Sequence, residues 1–234
     1  MFRRLLSTSK IPSASSPPSP SKESQDPLYR THADELHSLI SKGNYMQIMK
    51  MLAEYPDLVN KARGTDKSTA LHAACNSFRP VDPNHNPDHE AEMLRIVKLL
   101  ISAKADMNAR DKFMRSPLLL AIMHSRNLQL IRLLIFEGAR IDFVDDQGNT
   151  VLHLAVSVQL NCLEITRFLL VDNQLGSMKL SKNTEGKTPF DIIDAKHEAR
   201  DRVAVMTLLN PHYSVPTESD LIIPADYEVY IDQK

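Results

Sequence analysis

An all-α chain of stacked helix pairs is the fold this sequence predicts, and three observations predict it. One short phrase recurs four times, as Thr69-Ala-Leu-His-Ala-Ala, Ser116-Pro-Leu-Leu-Leu-Ala, Thr150-Val-Leu-His-Leu-Ala and Thr188-Pro-Phe-Asp-Ile-Ile. Each phrase is followed by a second apolar run: Ile96-Val-Lys-Leu-Leu-Ile, Leu130-Ile-Arg-Leu-Leu-Ile, Ile165-Thr-Arg-Phe-Leu-Leu and Val203-Ala-Val-Met-Thr-Leu-Leu. The phrase starts lie 47, 34 and 38 residues apart (69 to 116, 116 to 150, 150 to 188). A period in the low thirties with local insertions marks an array in which no unit can bury its apolar face alone. Function in such an array lies on a surface.

The best-formed copy, Asp145-Asp-Gln-Gly-Asn-Thr-Val-Leu-His-Leu-Ala, shows what each residue type is for. Gly148 allows positive φ at a turn tip, and Thr150 is placed to cap the helix that begins at Val151. Leu152, Leu154 and Ala155 face neighbouring helices, with Ala small enough for close approach. His153 is a polar ring amid apolar residues, so it should bond the backbone of the adjoining loop. Ile165, Phe168 and Leu169 then supply the i, i+3, i+4 stripe of a second, antiparallel helix.

On these residues the chain resembles the ankyrin-repeat family, whose unit is a turn, a Thr-Pro-Leu-His-x-Ala helix and an Ile-Val-x-Leu-Leu-Leu helix. The resemblance covers 31–213 and implies an ankyrin-repeat solenoid of five repeats, at about 31–63, 64–110, 111–144, 145–182 and 183–213. Leu39-Ile-Ser-Lys-Gly-Asn-Tyr-Met-Gln-Ile-Met-Lys-Met-Leu and Asp57-Leu-Val-Asn look like a first repeat with a polar outer helix. Lys67 and Met114 replace the tip glycine, Lys104 and Asn173 the glycine that ends the second helix, and Leu119 and Asp191 the motif histidine. Positive φ at a side-chain-bearing residue costs about 1 kcal/mol. The array is therefore expected to be less stable than an idealised one.

Composition bounds the rest. Twenty-eight basic and 29 acidic side chains leave no global field to draw the chain onto nucleic acid or an anionic membrane. No apolar run approaches the roughly 20 residues needed to span a bilayer. Cys75 and Cys162 lie in different repeats and read as small buried apolar residues in a reducing compartment. Residues 1–30 form a Ser/Pro-rich leader without the apolar content to fold, and 214–234 an acidic C-terminal tail. In the leader, Ser16 and Ser19 each precede a proline and are candidates for phosphorylation. Phe2, Leu5 and Leu6 share a helical face beside Arg3 and Arg4, a pattern similar to a mitochondrial transit peptide. The expected location is cytoplasmic or nuclear, with mitochondria as the alternative.

The resemblance implies that a partner protein lies across the turn tips and the inner face of the first helices. Residue by residue this gives Asp66 and Asn76 in repeat 2, with Thr65, Ser68 and Ser77 beside them. In repeat 3 it gives Lys112, Phe113, Met114, Arg115, Met123 and His124, with Met123 expected to face Phe113. It gives Asp146, Gln147, Asn149, Ser157 and Val158 in repeat 4, and Thr184, Glu185, Lys187, Ala195 and Lys196 in repeat 5. Repeat 3 combines an aromatic, thioethers and a cation, the composition enriched at binding hot spots.

Three lookalikes carry less. An insertion of about 13 residues, Phe78 to Glu90, reads as a surface loop, and its His85 and His89 lack the helix or cysteines of a zinc site. Gly64-Thr-Asp-Lys-Ser-Thr lacks the first glycine and the glycine before Lys67 that a phosphate loop needs. No Gly-x-Ser-x-Gly, His-Glu-x-x-His or Cys-His arrangement occurs, and the expectation is a non-enzyme without cofactor or metal, monomeric on its own. An adaptor or scaffold is the expected function. Inhibitors of Rel/NF-kappa-B-type transcription factors, which combine ankyrin repeats with charged tails, are the alternative, although their Asp-Ser-Gly-x-x-Ser motif is missing. A metal-dependent regulator or a mitochondrial binding protein comes behind these.

Overall fold

The computed structural model describes residues 27–78, 87–125, 127–158, 161–171, 173, 175–193 and 199–210. Among the described residues nine α-helices follow in order: α1 Pro27–Ser41, α2 Tyr45–Glu54, α3 Ala70–Ser77, α4 Pro87–Ser102, α5 Pro117–Leu120, α6 Leu128–Phe136, α7 Val151–Ser157, α8 Cys162–Val171 and α9 Ala199–Leu209. No strand occurs among the described residues. Helices pair within a unit (α1 with α2, α3 with α4, α5 with α6, α7 with α8), and units stack through an inner row of α1, α3, α5 with the turn Ala121–Ser125 that continues it, and α7, the turn making the contact with α7. The continuous core runs from Ala33 to Leu209 through every unit, as the apolar spacing of the two runs requires.

The inner helices start the way the phrase predicts. Thr150 Oγ1 accepts the His153 N–H at 3.5 Å while His153 Nδ1 accepts the Thr150 N–H at 3.2 Å, so two orphan donors of the helix end are satisfied reciprocally. His72 serves Thr69 in the same way at 3.2 Å. The other ring nitrogen of each histidine reaches the next repeat. His72 Nε2 bonds the Arg115 carbonyl at 3.0 Å and His153 Nε2 the Lys187 carbonyl at 3.0 Å. Both rings are fully buried.

The hairpin turns carry their own lattice. Asp111 Oδ1 accepts the N–H groups of Phe113 and Arg115, both at 2.8 Å. Asp145 holds Gln147 and Asn149 at 3.0 and 2.8 Å, and Asn183 holds Glu185 and Lys187 at 3.1 and 3.0 Å. Neighbouring tips are joined by single backbone bonds, Lys112 N to Asp66 O, Asp146 N to Phe113 O and Thr184 N to Gln147 O, each about 3 Å. Positive φ falls at the position two before each phrase: Lys67 at 54°, Met114 at 57°, Gly148 at 73° and Gly186 at 76°.

Several expectations are corrected. Lys104 takes positive φ at 68°, matching Gly138 at 98° after α6, and at the corresponding place after α8 the Asn173 side chain donates to the Phe168 carbonyl at 3.1 Å. The insertion is shorter than its composition suggests. Phe78 is buried at 2 % exposure as the C-cap of α3, Pro87 opens α4, and Glu90 accepts a hydrogen bond from Asn127 Nδ2. His85 lies outside the described residues. Where Leu119 replaces the motif histidine, the inner helix of repeat 3 breaks after four residues into a π turn, Ala121–Ser125. In repeat 5 the phrase makes only a 3₁₀ turn, Phe190–Ile192, with Asp191 Oδ2 accepting the Thr188 N–H at 2.8 Å in place of histidine. A carboxylate is too short to reach a further repeat. Helix α1 opens at Pro27, inside the span assigned to the leader.

Candidate partner-binding groove

The inner helices of repeats 1 to 3 and the turns that precede them enclose an open cavity of about 280 Å³. Helix α1 supplies Asp34, His37, Ser38 and Ser41, and α3 supplies Ala73, Asn76 and Ser77. The turns add Arg63, Asp66, Ser68, Asp111 and Arg115, and the π turn adds His124. A π turn widens a helix locally and recurs at functional sites. Here it is the segment that carries His124 to the cavity wall.

The charges in the cavity are organised in pairs. Arg115 Nη2 meets Asp111 Oδ2 at 2.7 Å, with the Asp111 side chain only 3 % exposed. Arg63 Nε meets Asp34 Oδ1 at 3.1 Å at the outer edge. His37 is 5 % exposed, and its Nε2 has no hydrogen-bond partner. Burial, reinforced by the Arg63 charge, lowers its pKa to about 4, so the ring is neutral at pH 7.

Of the residues selected from sequence, the cavity brings together Asp66, Asn76, Arg115 and His124. Lys112, Phe113 and Met114 stand exposed on the adjacent tip. The Phe113 ring is held by its own neighbours, with the Arg115 guanidinium 4.4 Å and the Lys112 ammonium 4.8 Å from its centroid. Met123, expected to face Phe113, is half-buried and packs on the core. Asn149 is spent within the turn lattice, donating to Asp145 and accepting from Asn183 Nδ2 at 3.0 Å. Asp146 and Gln147 are exposed at the tip of repeat 4, and Val158 is buried. Ser16, Ser19, Ala195, Lys196 and the acidic tail lie outside the described residues.

Sequence reasoning missed the contribution of repeat 1. Asp34, His37 and Arg63 carry no recurring phrase, and the only signal was the polar spacing Asp34, His37, Ser38, Ser41 along a helix, one turn apart.

Among the described residues, no group of three His, Cys, Asp or Glu side chains could hold a metal ion. No helix there is long and apolar enough to cross a membrane. Burial raises the Cys75 thiol far above its ordinary value, which leaves it inert. Cys75 and Cys162 are both buried, and no disulfide joins them.

An array of turn, helix and antiparallel helix, tied by buried histidines, defines the class as a helical repeat solenoid with a groove on its inner face. The particular family follows from comparison: residues 89–191 match the family described as ankyrin repeats, in three copies, and over that stretch the chain is built of ankyrin repeats. It is 30 % identical over 134 residues to the human transient receptor potential cation channel subfamily A member 1, covering 57 % of this chain and 10 % of that protein. To mouse Rabankyrin-5 it is 31 % identical over 121 residues, 52 % of this chain and 10 % of the relative. The ankyrin repeat protein FPV230 of fowlpox virus (strain NVSL) is 27 % identical over 110 residues, 47 % of this chain and 54 % of that protein. The chain thus spans a tenth of the first two relatives and about half of the third. Ankyrin repeats generally mediate protein–protein interaction.

Proposed function

We propose that this protein is a non-catalytic adaptor that holds a partner protein in the groove formed by repeats 1 to 3. The observation that carries the reading is the cavity itself, because side chains from three successive repeats converge on one open, polar recess. The turn lattice and buried histidines fix those side chains in advance, so little ordering entropy remains to be lost on binding. The three relatives support the same level of function. What they share with this chain is a stretch of 110 to 134 residues within proteins of different names.

The exposed tip of Lys112, Phe113 and Met114 forms the rim of this groove, and Asp146 and Gln147 continue it. A stable complex buries roughly 1,200 to 2,000 Å² in total, an area that several adjacent repeats can supply. The two buried cysteines, not joined in a disulfide, fit a reducing compartment, and we propose the cytoplasm or nucleus on that basis.

The test is recovery of bound proteins from native cells with the wild-type chain and with Asn76→Arg. Asn76 is exposed on α3 and lines the cavity. Arginine there should block the recess, so the reading requires that a partner be lost while the melting temperature stays unchanged. An unaltered set of partners would refute it.

A further inference from the structure

The charges lining the cavity do not cancel. Three carboxylates, Asp34, Asp66 and Asp111, stand against two guanidiniums, Arg63 and Arg115, which leaves one negative charge. Asp34 and Asp111 are the two already paired, at 3.1 and 2.7 Å. Asp66 forms no ion pair among the described residues, and only one of its oxygens is used, accepting the Ser68 N–H at 3.1 Å. That bond pins the carboxylate to the wall. Its other oxygen is free to accept.

A second and independent observation comes from α1. His37 lines the same cavity, is 5 % exposed, and has an Nε2 without any partner. A buried polar atom left unpaired is destabilising, and a ligand donor would relieve that. The ring is neutral, so with its proton on Nδ1 it presents a lone pair at Nε2. Its electrostatic environment includes Asp66 and Asp34 on one side and Arg63 and the neutral His72 on the other.

We propose that this cavity takes the cationic side chain, arginine or lysine, of an extended partner segment, which donates to the Asp66 carboxylate and to His37 Nε2. The inference rests on the groove being the partner site and adds the chemistry that the partner must bring. An acidic side chain would enter a recess of net negative charge whose two guanidiniums are already engaged. An apolar side chain would leave both His37 Nε2 and Asp66 desolvated and unpaired.

The experiment is a heteronuclear NMR titration of the full chain with acetyl-Gly-Arg-Gly-amide and acetyl-Gly-Lys-Gly-amide, with the glutamate and norleucine peptides for comparison. The expected result is saturable shifts at His37, Asp66 and their neighbours in the roughly millimolar range for the cationic peptides alone. Asp66→Asn keeps the oxygen that Ser68 needs and should weaken that binding about tenfold or more. His37→Leu should weaken it as well, with spectral dispersion reporting that the fold is kept. Saturation by the glutamate peptide, absence of saturation by any peptide, or cationic binding indifferent to Asp66→Asn would each overturn the proposal. Should partner capture be lost in Asn76→Arg while the cationic peptides fail here, the groove reading stands and the cationic subsite alone falls.

Discussion

His72 Nε2 lies 3.0 Å from the carbonyl oxygen of Arg115, 43 residues later, while its Nδ1 accepts the backbone N–H of Thr69. One ring therefore closes the start of a helix in repeat 2 and fastens repeat 3 to it. Because Nδ1 must accept and Nε2 must donate, only the neutral Nε2–H tautomer serves both bonds.

That requirement makes the array sensitive to acid. Burial lowers the pKa of His72 and of His153, against the opposing pull of the carbonyl each one bonds, and burial takes His37 to about 4. A group whose folded pKa lies below its unfolded value binds more protons when unfolded, so its contribution is fully present above about pH 6.5. It is lost as pH falls from there towards the folded value. Denaturant midpoints should decline between about pH 6.5 and 4, by at most about 1.4 kcal/mol per pH unit for each histidine. The decline should be shallower in His37→Leu. Equal slopes in the two proteins would show that His37 does not titrate as described.

Thr166 sits fully buried on α8 with a hydroxyl that has no hydrogen-bond partner. Valine has the same shape without the polar atom. Thr166→Val should therefore stabilise the protein by about 1 kcal/mol, read from a guanidinium melt. A loss of stability would mean that the hydroxyl is paired in solution.

Lys67 and Met114 occupy turn tips at φ of 54° and 57°, where two other repeats use glycine. Lys67→Gly and Met114→Gly should each raise the midpoint, by about 0.5 to 1 kcal/mol after the entropy of the added glycine is subtracted. Gly148→Ala should do the opposite and by more. Its Cβ would stand 3.2 Å from the backbone nitrogen of Thr184 in the next turn, which itself donates to the Gln147 carbonyl.

The stacking core makes a size prediction. Leu118 is completely buried on α5, which packs on the inner helix α3 of repeat 2. Leu118→Ala should cost about 2 to 5 kcal/mol by leaving a cavity there. A melt that moves by less than this would place the residue at a site that can collapse.

The residues that were legible in the sequence are those whose role is local and periodic. Thr150, His153 and Gly148 each occupy a position fixed by the turn and helix immediately around them, and their spacing reports that position directly. The π turn at Ala121–Ser125 was not legible. Leu119 removes the capping histidine, but composition does not say whether the helix then shortens, slips or widens. The groove was half legible. Asp66, Asn76, Arg115 and His124 followed from register, whereas Asp34 and His37 come from a repeat without the phrase and are joined to the site by packing of α1 on α3, and Arg63 enters from the turn before α3. Composition misread Phe78 to Glu90, because prolines and asparagines mark a loop without marking where the next helix begins. Pro87 is acceptable there as the first residue of α4.

The most direct test compares two faces of the same array. Partner recovery from native cells would be measured for the wild-type chain, for Asn76→Arg in the groove, and for Phe136→Asp on the outer helix α6, where the side chain is 87 % exposed. The account predicts that Asn76→Arg loses the partner, that Phe136→Asp keeps it, and that all three proteins melt together. Loss through Phe136→Asp with retention in Asn76→Arg would contradict it and move the binding surface to the opposite face.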